Sequence, residues 1–293
     1  MEIKFDSIAE MISSAQNTDV TISKICLMQS AQDMEISEDE LYASMAKNLK
    51  VMKDSIKNGS KKGVKSVSGL TGGMAYAFKT HVADGNSISG NLLSETIYNA
   101  LAVAEENACM GRIVASPTAG SCGIVPGCLI ALQNNYENID DDKLIMGLFN
   151  SAAIGMVLAK NASISGAEGG CQAECGSAAA MAASAIVEIM GGTPEMCGHA
   201  AAQAIKSLMG LVCDPVAGLV EEPCVIRNAS SAGIAVMAAD ISLAGIKSII
   251  PVDEVIQAMD KVGKMLPFQL RETALGGIAD TKTAKKITKE LFN

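Results

Sequence analysis

The 293-residue chain has no tryptophan, and its aromatic content is only 3%. Sheet proteins draw on aromatic and β-branched residues, and here period-two alternation longer than four residues is hard to find. No two apolar runs are joined by Asn-Gly or Asp-Gly, so hairpins are not signalled either. Positive charge is also scarce. Lys and Arg number 23 against 32 Asp and Glu, giving a net charge of −9. A nucleic-acid surface needs clustered cations, and the one basic stretch, residues 57–65, reads as a solvated loop. No uninterrupted apolar run reaches the ~18 to 20 residues of a spanning helix; the best candidate, residues 177–190, is mostly Ala and carries Glu188. The opening Met-Glu-Ile-Lys-Phe-Asp lacks the basic-then-apolar profile of a signal peptide. The expectation is a cytoplasmic, oligomeric protein with a large buried core.

What the chain does have is small and unbranched apolar residues. Nearly half of it is hydrophobic, mostly Ala, Met, Gly, Ile and Leu, a mixture that favours closely packed helices. Ser37-Glu-Asp-Glu40 is a capping-box pattern ahead of an amphipathic run at 41–56. Residues 63–90 read as a loop-rich stretch. Further helices are predicted at about 91–109, 124–135, 142–159, 172–191, 194–211, 229–246, 252–265 and 281–291. No repeat and no Pro- or Ser-rich linker divides the sequence. The fold class expected is all-α: one bundle-like catalytic domain over 1–293, with residues 1–60 as a helical appendage if they stand apart.

Four polar, glycine-bearing loops interrupt these helices. One holds Ser68, Thr71 and Gly72; a second holds Ser116, Thr118, Gly120 and Ser121. A third holds Asn161, Ser163 and Ser165, and the fourth runs from Cys213 to Cys224. Backbone amides at helix starts bind anions and glycine permits close approach, so together these loops point to a small anionic substrate. Ordinary capping by Ser, Thr and Asn is the plainer explanation for any one of them. Nucleotide motifs fail: Gly59-Ser-Lys-Lys-Gly63-Val-Lys-Ser66 is one residue short of a phosphate loop and Val64 interrupts its ending.

Nine cysteines, an odd number without a leader profile, do not describe a disulfide framework. Cys26, Cys109 and Cys197 sit in helix-periodic apolar sequence and read as core filler. Cys171, Cys213 and Cys224 stand in Gly-, Pro- and Ala-rich surroundings instead. A structural zinc site would want two close ligand pairs; Cys171 and Cys175 make one, but ten residues separate Cys213 from Cys224. Three widely spaced thiolates suit a larger cofactor, holding three irons of a 4Fe–4S cluster and leaving the fourth without a protein ligand. Spacing alone leaves both readings open, buried thiols or cluster ligands.

With these residues in view, the chain resembles the α subunit of bacterial iron–sulfur-dependent L-serine dehydratases of the two-chain type. The resemblance spans nearly the whole sequence and is most specific at residues 116–127, 161–181 and 213–228. It implies an all-helical catalytic domain, a 4Fe–4S cofactor and conversion of L-serine to pyruvate and ammonia. By position it implies Cys171, Cys213 and Cys224 as cluster ligands. Two departures stand out. Cys175 lies where relatives often carry Val, so either thiol of the pair is open to bind iron. The C-terminal cysteine that closes the fourth iron in some single-chain relatives is missing, as is their regulatory domain, which implies a separate β subunit.

An open iron is a Lewis acid toward the serine hydroxyl. The base for the Cα proton is not evident, the candidates being His81, His199 and Glu222, with Glu221, a loop hydroxyl, a thiolate or a partner residue also open. Arg227 would bind the substrate carboxylate bidentately or pair with Glu221 or Glu222. Two other functions compete: a lyase acting on L-cysteine, and a non-catalytic cluster protein that senses or scaffolds.

Overall fold

The computed structural model describes residues 5–292; the two ends of the 293-residue chain, including part of the opening six residues and Asn293, lie outside the described residues. The centre of the molecule is α9 (Ser177–Ile189), in which every residue through Val187 is buried. Six of its thirteen residues are Ala, which has the highest helix propensity and lets neighbouring axes come close. Around it pack α6 (Ile124–Asn135), α7 (Asp141–Asn161), α10 (Pro194–Leu208) and α11 (Cys224–Leu243). A second group forms on α5 (Gly90–Ala108), which packs against α6, α11, α3 (Glu38–Gly59) and α4 (Met74–Ala83). The fold is all-α: among the described residues the only extended pairing is a single parallel bridge between Cys213 and Arg271.

The N-terminal helices α1 (Ile8–Thr18) and α2 (Ile22–Asp33) contribute Ile8, Met11, Ile22 and Ile25 to the same apolar cluster as α9. Fully burying each such side chain contributes about 1.5–3 kcal/mol. The start of α1 is capped from a distance: Asp253, in α12 (Val252–Met265), accepts from the Ile8 and Ala9 amides at 2.9 and 3.0 Å. The Ser37–Glu40 capping box forms as the sequence indicates, Ser37 Oγ accepting from Glu40 N and the Glu40 carboxylate from Ser37 N.

Three differences from the sequence-based expectation bear on the site. Residues 74–83, expected within a loop, are helix α4. Its first amides, on Met74 and Ala75, donate to the buried Glu105 carboxylate of α5 at 2.7 and 3.1 Å. Helix α11 begins at Cys224 rather than 229, directly after Pro223, which brings a cysteine into its first turn. Finally, the helix expected from 172 opens as a π turn (Gln172–Gly176) before α9 proper. By length and composition α7 and α11 pass as membrane spans, although 61% and 50% of those stretches is buried inside the molecule. The search for uninterrupted runs passes over both, because Asn150, Ser151, Asn228 and Ser231 break them.

Candidate active site

Three segments bring four thiols together. The first is the short α8 (Gly166–Gly169) with the π turn that follows it, carrying Cys171 and Cys175. Gln172 anchors it: its backbone N–H donates to Leu211 O, and its side chain joins Gly210 N at 2.8 Å to Met259 O at 2.9 Å. Gly170 sits at φ +75°, a conformation that side-chain-bearing residues rarely adopt. The second segment carries Cys213, whose N–H donates to Leu270 O and whose carbonyl accepts from Glu272 N, locking it beside the end of a 3-10 turn at Phe268–Leu270. The third is the first turn of α11, with Cys224.

All four thiols are buried. Cys171 Sγ and Cys175 Sγ are 3.4 Å apart. The thiols of Cys175 and Cys213 donate to Cys171, and Arg227 lies beside it, so Cys171 is held well below the ordinary thiol range. Cys175 and Cys213 are pushed up for the same reason, because losing a proton would break those donations and oppose the Cys171 charge. Burial raises Cys224 to about 12, and the Cys171 charge adds to it. Arg227 is fixed from behind by an ion pair with Asp214 (2.8 Å) and a hydrogen bond to Val212 O (2.9 Å); its side chain is 13% exposed and that of Asp214 3%. Asp214 also accepts from Ile278 N at 2.7 Å. Arg227 therefore pairs with Asp214, not with Glu221 or Glu222.

Glu174 lies on the π turn between the cysteines. Thr118 Oγ1 donates to it at 2.7 Å, and Thr118 is 3.1 Å from Ser121 Oγ. A Cβ placed on Gly120 would lie 3.0 Å from one Glu174 oxygen. One placed on Gly166 would lie 2.8 Å from the other oxygen and 3.1 Å from Cys213 Sγ. Two bare glycines thus close on one carboxylate, with less room than a methyl group needs. Burial lifts Glu174 to about 7. Ser116 Oγ and Ser177 Oγ are buried without a hydrogen-bond partner among the described residues. Asn228 ties the second loop to α11: its Oδ1 accepts from Gly123 N, and its Nδ2 donates to Gly120 O and Cys224 O, at 2.8 to 3.0 Å.

The first loop is joined to the cysteine segment by Glu221, which accepts from Ser68 Oγ at 2.8 Å and Thr71 Oγ1 at 2.9 Å. Gly72 sits at φ +142° with its bare face against Val64 and Lys65. The third loop divides. Ser163 donates to Glu168 at 2.6 Å and lines a cavity of about 310 Å³ with Gln172, Lys264 and Arg271, on the side of the Cys171 segment where no thiol is exposed. Ser165 sits at the start of α8, with no capping bond from its side chain. Asn161 turns away, donating to Asp6 O and Val157 O. Neither histidine is hydrogen-bonded through its ring among the described residues. His81 is exposed on α4 with Phe78 6.0 Å away, and His199 lines a separate cavity with Glu195 and Lys247. Glu222 is half-buried, and its carbonyl accepts from Val216 N. Glu174, Asp214, Asn228 and Ser177 are the neighbours of the thiols that the sequence reading passed over. Glu174 had a visible signal, since it lies inside the Cys171–Cys175 string.

Among the described residues, no three His, Cys, Asp or Glu side chains converge as the ligands of one metal ion would. A cluster makes a different demand, because its corners spread and its thiols surround a volume. Soft thiolates are the donors such a group takes. Four facing thiols with Arg227 as their neighbouring cation tolerate little negative charge unless a cationic group sits among them. The orphaned hydroxyls of Ser116 and Ser177 are polar atoms with capacity for a further group. The donor set fits an iron–sulfur cluster.

The protein is all-helical, with buried cysteines on three neighbouring segments and a hydroxyl-bearing loop joined to them through Glu174 and Asn228. The chain belongs to the serine dehydratase alpha chain family, whose model matches residues 17–279. It is 47% identical over 288 residues to a probable L-serine dehydratase alpha chain of Bacillus subtilis, covering 98% of this chain and 95% of that one. It is 41% identical over 284 residues to the L-serine dehydratase alpha chain of Peptoniphilus asaccharolyticus, with 97% of each covered. An L-serine dehydratase of Streptomyces coelicolor is 37% identical over 278 residues, and the match spans 59% of that longer chain.

Proposed function

We propose that this protein is the α chain of a two-chain, cytoplasmic L-serine dehydratase and that its single helical domain carries the catalytic site. The observation that supports this most directly is the convergence of Cys171, Cys213 and Cys224, buried, beneath the loops holding Ser116, Thr118 and Gly120. Those three thiols would hold a 4Fe–4S cluster, which when bound supplies a Lewis-acid iron toward the substrate's β-hydroxyl. Dehydration needs the Cα proton removed and hydroxide expelled, after which aminoacrylate tautomerises and hydrolyses to pyruvate and ammonia.

The chain's own groups have the following parts. The unpartnered hydroxyls of Ser116 and Ser177 would receive and orient the amino acid, while Gly120 and Gly166 let the Glu174 carboxylate approach closely. Glu174 is the carboxylate aimed at both glycines, and its oxygens would hold the Cα proton, with Thr118 keeping the group in place. Arg227 acts less on the substrate than on the thiols, since Asp214 and Val212 O already take its Nη1. Ser68, Thr71 and Gly72 shape the wall through Glu221. A separate β chain completes the enzyme.

The test is anaerobic purification with the partner chain, then iron counting and pyruvate formation from L-serine and from L-cysteine. Cys213→Ser and Cys224→Ser should lose both iron and turnover, while Glu174→Gln should keep iron and lose turnover. Iron without turnover of either amino acid would mark a sensing or scaffolding protein. Preference for L-cysteine would reassign the substrate, and a Glu174→Gln enzyme of unchanged kcat would remove Glu174 from the chemistry.

A further inference from the structure

Three of the buried cysteines contrast with a fourth, Cys175, in what their sulfurs touch. Cys128 Sγ donates to Ala232 O at 3.5 Å, Cys122 to Val103 O at 3.9 Å, and Cys26 lies 3.8 Å from Ser30 Oγ. Each is a thiol used as filler, resting against a neutral backbone or hydroxyl oxygen, as small buried hydrophobes do. Cys175 is equally buried, at 1% exposure, yet its partner is another sulfur, Cys171 Sγ. Its neighbours along the π turn are chemical groups too, with Glu174 directly before it and Cys171 Sγ at 3.4 Å. A filler position gains nothing from that company, and Ala or Val would avoid it.

The backbone adds a second observation. Residues 172–176 form a π turn, which is uncommon and concentrates at functional sites. The widened turn brings position 175 to the same space as position 171, with Cys213 and Cys224 entering from two other segments. Arg227 is held in place by Asp214, so the thiols share one fixed positive neighbour.

We infer that Cys175 is a fourth thiol ligand of this site, closing the corner that Cys171, Cys213 and Cys224 leave over when no substrate is present. The inference rests on the reading that the site holds a 4Fe–4S cluster and deepens it: the iron that meets serine is guarded by a residue of this chain. The ligand is local, four positions from Cys171, and needs no segment from elsewhere.

The experiment compares the wild-type complex with its Cys175→Ser and Cys175→Ala variants, all purified without air, with Cys26→Ala as a filler control. Far-UV circular dichroism and thermal melting first establish that the variants fold. Iron per chain, the electron paramagnetic resonance signal of a three-iron form after timed exposure to air, and Mössbauer spectra with and without serine are then read. Both Cys175 variants should bind about four irons per chain and lose one in air on the order of tenfold faster than wild type. Before serine is added they should show one iron distinct from the other three, which wild type shows only afterwards. Identical air sensitivity and identical resting spectra would make Cys175 filler and overturn the inference. Complete loss of iron in the Cys175 variants, with retention in Cys171→Ser, would overturn it too, by making Cys175 one of the three primary ligands. A wild-type complex without iron would sink the cluster reading itself, a result separable from both.

Discussion

Asn228 offers a sharp test of how the site is held, because one amide side chain serves two elements. Its Oδ1 takes the Gly123 N–H, and its Nδ2 serves the carbonyls of Gly120 and Cys224, all within a residue that is 1% exposed. Asn228→Ala removes these three bonds and leaves the Gly123 N–H unpaired in the core and the half-buried Gly120 carbonyl only partly compensated by water. Each unsatisfied buried group costs about 1–3 kcal/mol. The Cys224 carbonyl keeps its place in the α11 hydrogen-bond ladder, so two groups decide the sum. The expected loss is about 2–4 kcal/mol, a large part of the ~5–15 kcal/mol available to a folded domain. At about 2–4 °C per kcal/mol for a chain of this size, a loss of ~3 kcal/mol lowers the melting temperature by roughly 6–12 °C. The loop bearing Ser116, Thr118 and Gly120 also loses its tie to α11, so the KM for serine should rise more than kcat falls. Calorimetry and steady-state kinetics on the complex read both quantities. A melting point within 2 °C of wild type together with an unchanged KM would refute the claim that this amide is what joins the loop to the cysteine helix.

Two further outcomes follow from the geometry. Gly72→Ala should destabilise by about 1–3 kcal/mol, because position 72 sits at φ +142° and an added Cβ would meet Val64 O at 2.5 Å and Lys65 Cα at 2.6 Å. Guanidinium unfolding checks this, and a change under ~0.5 kcal/mol would show that the loop can re-form elsewhere. Glu188 is raised above its ordinary 4.5 by burial, despite accepting from Ser23 N and Asn150 Nδ2. An acid raised in the folded state contributes its full stability below the unfolded value and loses it as pH climbs through the folded one. Glu188→Gln removes that loss, so the stability of the variant relative to wild type should grow as pH rises above the ordinary value of 4.5. A gap that stays flat or shrinks over that window would mean burial is not what governs Glu188.

The helices were legible where their signals were local. The capping box at Ser37, Pro194 behind Thr193, and the acidic first turn of α12 each place a start that the structure keeps. The misses share a physical cause, which is stabilisation supplied from far along the chain. Helix α4 has no capping side chain of its own, since Gly73 precedes it, and Glu105 of α5 receives its first amides. No window around residue 74 contains that carboxylate, so glycines and serines alone were left to speak, and they spoke for a loop.

The same distinction separates the site's visible residues from its hidden ones. The cysteines could be singled out because their strings are locally odd, rich in glycine and proline within a chain of apolar helices. Their neighbours could not, because what a polar side chain does depends on what faces it. Glu221 is a candidate base by residue type, yet it is occupied by Ser68 and Thr71 and works as a clamp between the first loop and the cysteine segment. Arg227 was weighed as a substrate clamp, yet Asp214, thirteen positions earlier, holds it against the thiols. Asn161 was grouped with Ser163 by sequence, and the end of α7 turns it toward Asp6 instead. In each case the residue type announced a polar task and the fold chose the partner. Buried polar groups in so apolar a core are costly unless paired, so each carboxylate, amide or guanidinium that remains near Cys171 is there for a partner. Ser116 and Ser177 keep buried hydroxyls without a partner among the described residues, and under the proposed function these are where a bound amino acid would contribute the missing hydrogen bonds.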